Sequence, residues 1–268
     1  MKKRTKYLVL AFISLLLGAC SNYNKIIKGD DYQEKFRLAN EMFEDKNYDR
    51  CIILYEQVYQ HAPKTDEGEV AYYRLAKSYY QMEDFYMAGY YFSAYIQRFP
   101  YSVKNEEALF LTALCSVQNS PEYSLDQTET LTAINNVQQF VDRYPNSNLV
   151  DSCNHVIDRL RLKLEIKEFE KVKAYSRTQY FRAAVTAADL FCDNFPLSNF
   201  KEETIYLAVK NCASYALNSI DSKKKERIEE SIERYRNFAF EYPDSRYIRE
   251  LDVLNKKIES ELKLLTEN

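Results

Sequence analysis

The sequence predicts an all-α protein, an α-solenoid of about five helical hairpins with a C-terminal capping helix. Of its 268 residues only 4 are Gly, whereas 46% are hydrophobic. Sheets and phosphate-binding loops need many residues with positive φ, which glycine adopts most readily. A chain of this length can nevertheless bury a sizeable core. The third observation is that five of the 6 prolines recur in one short motif.

The N-terminal segment, residues 1–19, is predicted to be a lipoprotein signal peptide. Met1–Lys6 is basic, and the apolar run that follows, Tyr7–Leu17, is shorter than the roughly 20 residues of a membrane span. Such a run has the length of a secretory h-region. Leu17-Gly18-Ala19-Cys20 resembles the lipobox of bacterial lipoproteins. We therefore predict Cys20 as the lipidation site and residues 20–29 as a polar tether; the alternative is an ordinary signal peptide followed by a chance cysteine.

The tether and the charge of the body indicate the compartment and the partners. No aspartate follows Cys20, which predicts an outer-membrane anchor with the body in the periplasm. More than one acyl chain would attach it stably to the bilayer. Residues 1–19 hold four basic residues and no acid, so the remainder has a net charge of −7. Without a basic stripe, nucleic acid is not an expected partner.

A recurring motif, an aromatic residue followed by Pro-x-Ser, divides the rest of the chain into repeats. Proline forces the preceding residue out of the α region and ends a helix, and the following Ser or Thr is a good N-cap. The four copies are Phe99–Ser102, Tyr144–Ser147, Phe195–Ser198 and Tyr242–Ser245, with a weaker fifth at Ala62–Thr65. The predicted repeats are residues 30–63, 66–100, 102–145, 147–196 and 198–243, and the capping helix is 245–266.

The residues between these motifs match the tetratricopeptide repeat, a helical hairpin of 34 residues with small and aromatic residues at fixed positions. In the second repeat Tyr72 and Ala76 fill the helix A positions, and Ala88 and Phe92 those of helix B. Cys51 takes the small position of helix B in the first repeat, which favours a packing role for it and for the other cysteines. Insertions are predicted at Asn119–Gln127 and Ser219–Arg227, and a long helix A at Asn148–Tyr175.

Helix A residues at other template positions would line a concave groove. The row is aromatic with two polar members, which suits an extended apolar or aromatic peptide. The alternative is that some of these rings pack on neighbouring repeats. The predicted groove residues are Phe36, Asn40, Phe43, Tyr73, Lys77, Tyr80 and Phe110.

No enzyme, metal site or cofactor is predicted, apart from the lipid on Cys20. The two histidines, His61 and His155, belong to no nucleophile or metal motif. A peptidoglycan-acting hydrolase is therefore disfavoured. The strongest basic cluster is Lys223, Lys224, Lys225 and Arg227, which is either a solvated face or a contact for an acidic partner surface.

The order of these features, a lipobox, a tether, five repeats and a capping helix, resembles the BamD family of outer-membrane lipoproteins. The segment Lys210–Arg227 is most similar to its Bacteroidetes members. The resemblance implies a non-catalytic subunit of the β-barrel assembly complex. It implies that the N-terminal repeats receive unfolded outer-membrane proteins, and that BamA binds near Ser222–Tyr235 and the C-terminal helix. The alternative is a periplasmic scaffold for cell-wall synthesis or Tol-Pal components.

Overall fold

The structure, a computed structural model, describes residues 23–267, so Cys20 lies outside the described residues. Within that range all regular structure is helical, which confirms the predicted all-α class. A short helical segment at residues 23–28 precedes eleven longer helices. These are α1 Tyr32–Glu44, α2 Tyr48–His61, α3 Asp66–Gln81, α4 Phe85–Arg98, α5 Asn105–Asn119, α6 Thr128–Arg143, α7 Val150–Arg177, α8 Phe181–Asn194, α9 Lys201–Leu217, α10 Asp221–Glu241 and α11 Ile248–Glu267.

The described chain forms two compact units. Unit 1 contains residues 23–121 and 127–157, and unit 2 contains residues 122–126 and 158–267, so the division falls within α7. In unit 1 each helix from α1 to α6 packs on the next, which gives three successive hairpins. In unit 2 the helices α8 to α11 pack in order, and α9 also contacts α11. Helical hairpins of the tetratricopeptide type therefore build both units.

The predicted proline motif has one backbone geometry throughout the chain. Each residue before proline ends a helix with φ between −134° and −123° and ψ between 61° and 65°. Its N–H donates to the carbonyl four residues earlier. Proline excludes the α region for the residue before it, which explains the common angles. The five residues are Ala62, Phe99, Tyr144, Phe195 and Tyr242. Ala62, in the weaker copy of the motif, thus has the same angles as the other four.

The hydroxyl of the motif behaves as predicted in one copy only. Thr65 Oγ1 caps α3 by accepting from the Gly68 N–H at 3.1 Å. Ser102 instead accepts from the Lys104 N–H at 3.1 Å, two residues on, and begins a turn that precedes α5. The other three serines accept in the same way. The prediction that these serines are helix N-caps is wrong, because an extra turn separates them from the helix.

Three of the hairpin turns place a residue other than glycine in the left-handed region. Lys46, Glu83 and Gln179 have φ of 60°, 61° and 61° and follow α1, α3 and α7. Glycine is the usual residue at this position because it has no Cβ. Gly68 is needed for a different reason. A Cβ there would lie 2.1 Å from the carbonyl oxygen of Ala62, so α3 approaches the preceding turn too closely for any other residue.

The template positions fill the interior of both units. The residues at the aromatic template position of the second helices are all buried: Tyr55, Phe92, Phe140, Phe191 and Phe238. Small residues such as Ala39 and Ala76 are fully buried where helices meet. Of the five described cysteines, four are buried and Cys192 is half-buried, and none of the five forms a disulfide. Their burial agrees with the predicted packing role.

Three segments lie outside the repeat template. Residues 23–28, expected within the polar tether, form a short helix whose Tyr23, Ile26 and Ile27 pack on the first core cluster. The expected insertion at Ser219–Arg227 is helical from Asp221 onward. Its Lys, Arg and Glu residues are good helix formers, so they form the first turns of α10. The insertion at Asn119–Gln127, by contrast, is non-helical between Asn119 and Thr128, as predicted.

Candidate functional site

The seven predicted groove residues lie on α1, α3 and α5, the first helices of the three hairpins of unit 1. Every one of them is half-buried. We call them, with the charged residues that contact them, the aromatic row. Their rings pack on the core clusters of the unit while part of each side chain reaches solvent. The same rings thus support neighbouring hairpins and keep part of their surface exposed, and their role as a peptide groove stays a prediction.

A hydrogen-bonded group forms the α1 end of the aromatic row. Asn40 Oδ1 accepts from the Tyr55 hydroxyl at 2.9 Å and from Arg74 Nη1 at 3.1 Å. The Arg74 guanidinium lies 5.0 Å from the centre of the Phe43 ring and 3.2 Å from Glu44 Oε1. Two donors thus fix the orientation of the Asn40 amide. Its Nδ2 group makes no hydrogen bond with any described residue and remains a donor for a ligand.

A cluster of one acid and two lysines forms the α3 part of the row. Glu107 accepts from Lys77 Nζ at 2.8 Å and from Lys104 Nζ at 3.1 Å. Burial opposes ionisation of Glu107, but these hydrogen bonds lower its pKa to about 2. Both lysines also lie over the Tyr73 ring, at 6.0 and 5.5 Å from its centre. The cluster carries a net positive charge beside an aromatic ring.

Tyr73 is the most constrained ring of the row. Its ring meets Phe92 and Tyr95 edge-on, with centroids 5.9 and 5.4 Å apart. Its hydroxyl is buried and forms no hydrogen bond with any described residue. Burial, reinforced by the charge of Glu107, raises its pKa. Burial and the neighbouring Glu107 carboxylate therefore keep this tyrosine neutral.

The remaining rings extend the row at both ends. Tyr80 contacts Phe85 edge-on at 5.6 Å, and Phe110 lies 5.4 Å from Phe140. Phe36 lines a cavity of about 440 Å³ together with Gln33 of the same helix. The row therefore spans the three hairpins of unit 1.

Sequence reasoning missed the partners of the polar groove residues. We predicted that Asn40 and Lys77 would be available to a peptide, but Arg74 and Glu107 already engage them. The partners lie 34 and 30 residues along the chain, close to one repeat length. A search for complementary polar residues about one repeat apart would have found both pairs.

The predicted basic cluster of unit 2 is mostly engaged by the protein itself. Lys224 pairs with Glu261 at 2.9 Å and lowers the pKa of that carboxyl. Arg227 donates to Ser219 Oγ at 2.8 Å. Lys223 pairs with Glu226 at 3.0 Å in the next turn of the helix. Among the described residues only Lys225 of this cluster has no such partner, so much less charge is free for a partner than predicted.

A cavity of about 700 Å³ in unit 2 is a second candidate surface. It lies among α7, α8 and α9, and its apolar lining includes Tyr175, Leu190 and Tyr215. Two cations, Lys171 and Arg182, line it and no acid does. Lys171 pairs with Glu168, whereas Arg182 forms no ion pair within the described part of the chain. No motif in the sequence marks this cavity.

The histidines and acids of the described residues form no catalytic or metal constellation. His61 stacks on Tyr32 with ring centroids 3.7 Å apart, and His155 is exposed on α7. Between residues 23 and 267 no group of three or more potential ligands is placed to hold a metal ion. No helix in that range is both long and apolar enough to cross a bilayer.

The model of a family described as "YfiO: Outer membrane lipoprotein" matches residues 29–186 and 163–262. Among solved structures, the chain is similar to nearly identical TPR-like repeats from a predicted kinesin light chain of Podosopora anserina. That similarity has 12% identity and a TM-score of 0.32, and covers 80% of this chain and 97% of the other. No curated protein matches the chain.

Proposed function

Because the chain belongs to the YfiO family of outer membrane lipoproteins, we propose that it is a non-catalytic adaptor in the assembly of outer-membrane β-barrel proteins. The family match extends over both units, and its description agrees with the lipobox at Cys20. The single structural observation that carries the proposal is the aromatic row of unit 1. A row of half-buried rings with oriented donors suits the recognition of an unfolded chain.

Unfolded outer-membrane proteins are the proposed ligands of the aromatic row. Large rings contribute much contact area at low entropic cost, and their edges and faces accept other aromatic side chains. The Asn40 Nδ2 group supplies a donor for a backbone carbonyl. The positive cluster of Lys77, Lys104 and Glu107 supplies attraction for a terminal carboxylate. An extended segment that ends in an aromatic residue and a free carboxylate meets all three requirements.

A folded, BamA-like partner is proposed to bind unit 2. The cavity lined by Lys171 and Arg182 combines an apolar floor with cations and has no acid in its lining. Such a surface suits an acidic patch with a large apolar side chain. Lys225 and the exposed side of α10 extend the proposed contact toward the predicted region. The partner would thus bind through the cavity and not mainly through the four predicted cations.

Lipidation of Cys20 is proposed to hold the body on the periplasmic side of the outer membrane. The replacement Cys20→Ala removes the acceptor thiol and should move the protein from the membrane fraction to the soluble periplasm. A replacement of the buried Cys51 by Ser serves as a control that should stay membrane-bound. Continued membrane attachment of the Cys20→Ala protein would contradict the lipid anchor.

Co-purification from detergent-solubilised membranes tests the assembly role. We expect the tagged protein to recover a large β-barrel protein with periplasmic repeat domains. Replacing Arg182 and Leu190 by Glu should lose that partner, whereas the same replacements at Tyr86 and Tyr90, exposed on α4 of unit 1, should retain it. Recovery of cell-wall synthases or Pal in place of a barrel protein would overturn the assembly role.

A further inference from the structure

A buried lysine in unit 1 has no acidic partner. Lys35, on α1, is 3% exposed. Its Nζ donates to the carbonyl oxygen of Ile27 at 3.2 Å and lies 4.7 Å from the centre of the Tyr32 ring. No carboxylate of the described residues forms an ion pair with it. Lysines are almost never fully buried without a counter-charge, so this ammonium needs one.

Lys35 lines a cavity in which a bound anion would supply the counter-charge. The cavity has a volume of about 510 Å³ and is lined by Lys35, Lys28, Gln57, Gln60 and His61, together with the backbone around Gly29. Its single acidic lining residue is Asp30, which is exposed and makes no ion pair with Lys35. Two lysines against one acid leave the lining positive. An anion of the size of a phosphate ester fits the charge and the volume.

A second unsatisfied group in the same cavity adds a chemical requirement. Gln57 Oε1 is buried and accepts no hydrogen bond from any described residue. A buried acceptor without a donor is costly, so a matching ligand should bring a donor as well as a negative charge. A phosphate ester that carries an ammonium or hydroxyl group supplies both.

The position of the cavity in the chain points to the source of that phosphate. Residues 23–28 pack on the core and end at the cavity, where Lys28 is part of the lining. Three peptide units separate Cys20 from Tyr23, a reach of at most about 11 Å. If Cys20 carries the lipid, this cavity is the part of the body that follows the membrane anchor most closely.

We propose that the Lys35 cavity binds the phosphate of a phospholipid headgroup that also carries a hydrogen-bond donor, such as phosphoethanolamine. Lys35 and Lys28 contact the phosphate oxygens, and Gln57 Oε1 accepts from the headgroup donor. The contact orients unit 1 against the membrane surface. The assignment to lipid rests on the lipid anchor of the proposed function, whereas the phosphate chemistry does not. Free inorganic phosphate is the other source of the same chemistry.

Thermal unfolding with soluble headgroup analogues tests the proposal. The full-length lipidated protein is held in a nonionic detergent and phosphate-free buffer, and helix loss is followed by circular dichroism. We expect glycerophosphoethanolamine to raise Tm, because a ligand that binds only the folded state stabilises it. Inorganic phosphate at the same concentration should shift Tm less. So should glycerophosphocholine, which shares the glycerol hydroxyls of glycerophosphoethanolamine but whose trimethylammonium group donates no hydrogen bond.

The variants separate the site from general stability. Lys35→Met removes the charge but keeps the shape, so without ligand it should unfold at the wild-type temperature or above. It should lose the response to glycerophosphoethanolamine, with affinity reduced about tenfold or more. Gln57→Met should weaken binding in the same direction. Lys25→Met, on the exposed side of the same segment, is the matched control and should respond like wild type.

Three results would overturn the proposal. An unchanged response in Lys35→Met removes the cavity as the site. An equal response to inorganic phosphate removes the lipid as the source, and an equal response to glycerophosphocholine removes the role of Gln57. Because the analogues are soluble and need no assembly partner, these failures are distinct from a failed membrane anchor or a failed co-purification.

Discussion

The two units use the same hairpins but fix them with different side chains. In unit 1 most helix contacts that reach the surface are between aromatic rings, such as the stacked Tyr79 and Tyr91, 5.2 Å apart. In the described part of unit 2, four ion pairs also join helices, such as Lys210 with Glu250 at 2.8 Å. The difference indicates that the tyrosine excess of this chain serves unit 1, where rings both pack and line a surface.

The ion pairs of unit 2 also explain why its cations are poor markers of a partner site. Arg234 donates from both Nη atoms to Asp189 at 2.8 Å and from Nε to Glu230 at 2.9 Å. Each such ion pair engages a cation that would otherwise be available to bind a partner protein. Arg182, which forms no ion pair within the described residues, lines the 700 Å³ cavity, and that lining contains no acid.

Among the substitutions that test the difference between the two units, Gly68→Ala should have the largest effect on stability. The added Cβ would lie 2.1 Å from the carbonyl oxygen of Ala62, so α3 must move away from the preceding turn. We expect a loss of about 3 kcal/mol of stability in urea unfolding. Hydrogen exchange should show the loss in unit 1, with unit 2 protected as before.

Gly89→Ala is the matched control for that change. There the new Cβ meets only the Cβ of Cys115, at 3.3 Å, and a side chain can give way. We expect a change below about 1 kcal/mol. Equal losses in the two variants would contradict the close approach of α3 to its turn.

A smaller effect is expected from Asp189→Asn in unit 2. The change weakens a bidentate, charge-assisted contact to Arg234 and should cost about 1.5 kcal/mol. Glu226→Gln removes the exposed pair with Lys223 and should change stability by less than about 0.5 kcal/mol. If both variants have equal stability in urea unfolding, the ion pairs between helices do not support unit 2 as described.

The sequence predicts what is local or periodic. The helix ends at Phe99 and Tyr242 follow from the prolines after them, and the buried positions of Ala76 and Phe92 follow from the repeat template. The pairing of Lys77 with Glu107 could not be predicted from one helix, because it depends on how adjacent hairpins are placed.

Two further features could not be predicted from the sequence, for related reasons: the helical segment at residues 23–28 and the 700 Å³ cavity. Residues 23–28 are short and polar in composition, yet Tyr23 and Ile27 fall on one side of a single helical turn and pack on the core. The 700 Å³ cavity is lined by three helices, and no one of them carries a recognisable motif. The scarcity of glycine, in contrast, has a visible local consequence, because residues other than glycine occupy the left-handed position of three hairpin turns.

Glu107, the acidic member of the aromatic row, should make the stability of the protein depend on pH. Because the pKa of Glu107 is lowered from 4.5 to about 2, its stabilisation is present above pH 4.5 and is lost as pH falls toward 2. Glu107→Gln should therefore cost about 1 kcal/mol at pH 7, since the pair is partly exposed, and nothing near pH 2. A cost in urea unfolding that is independent of pH would contradict the ionised cluster.

The smallest effect on stability is expected at the hairpin turn with a positive φ, a type of turn that occurs in each unit. Glu83→Gly in unit 1 and Gln179→Gly in unit 2 relieve a positive φ and should each stabilise the protein by about 0.5 kcal/mol. The corresponding changes to Ala should not stabilise, because alanine keeps the Cβ. A gain in only one unit would show that the two turns are not equivalent.

Site-specific photo-crosslinking in cells tests the division between the units most directly. A photoreactive residue at Val70, 41% exposed on α3 beside Tyr73, should capture unfolded outer-membrane proteins. One at Leu190, 52% exposed in the cavity of unit 2, should capture a single large barrel-assembly protein, and one at Tyr90 on α4 should capture neither. Unfolded substrates captured equally at all three positions, or only at Leu190, would contradict the account.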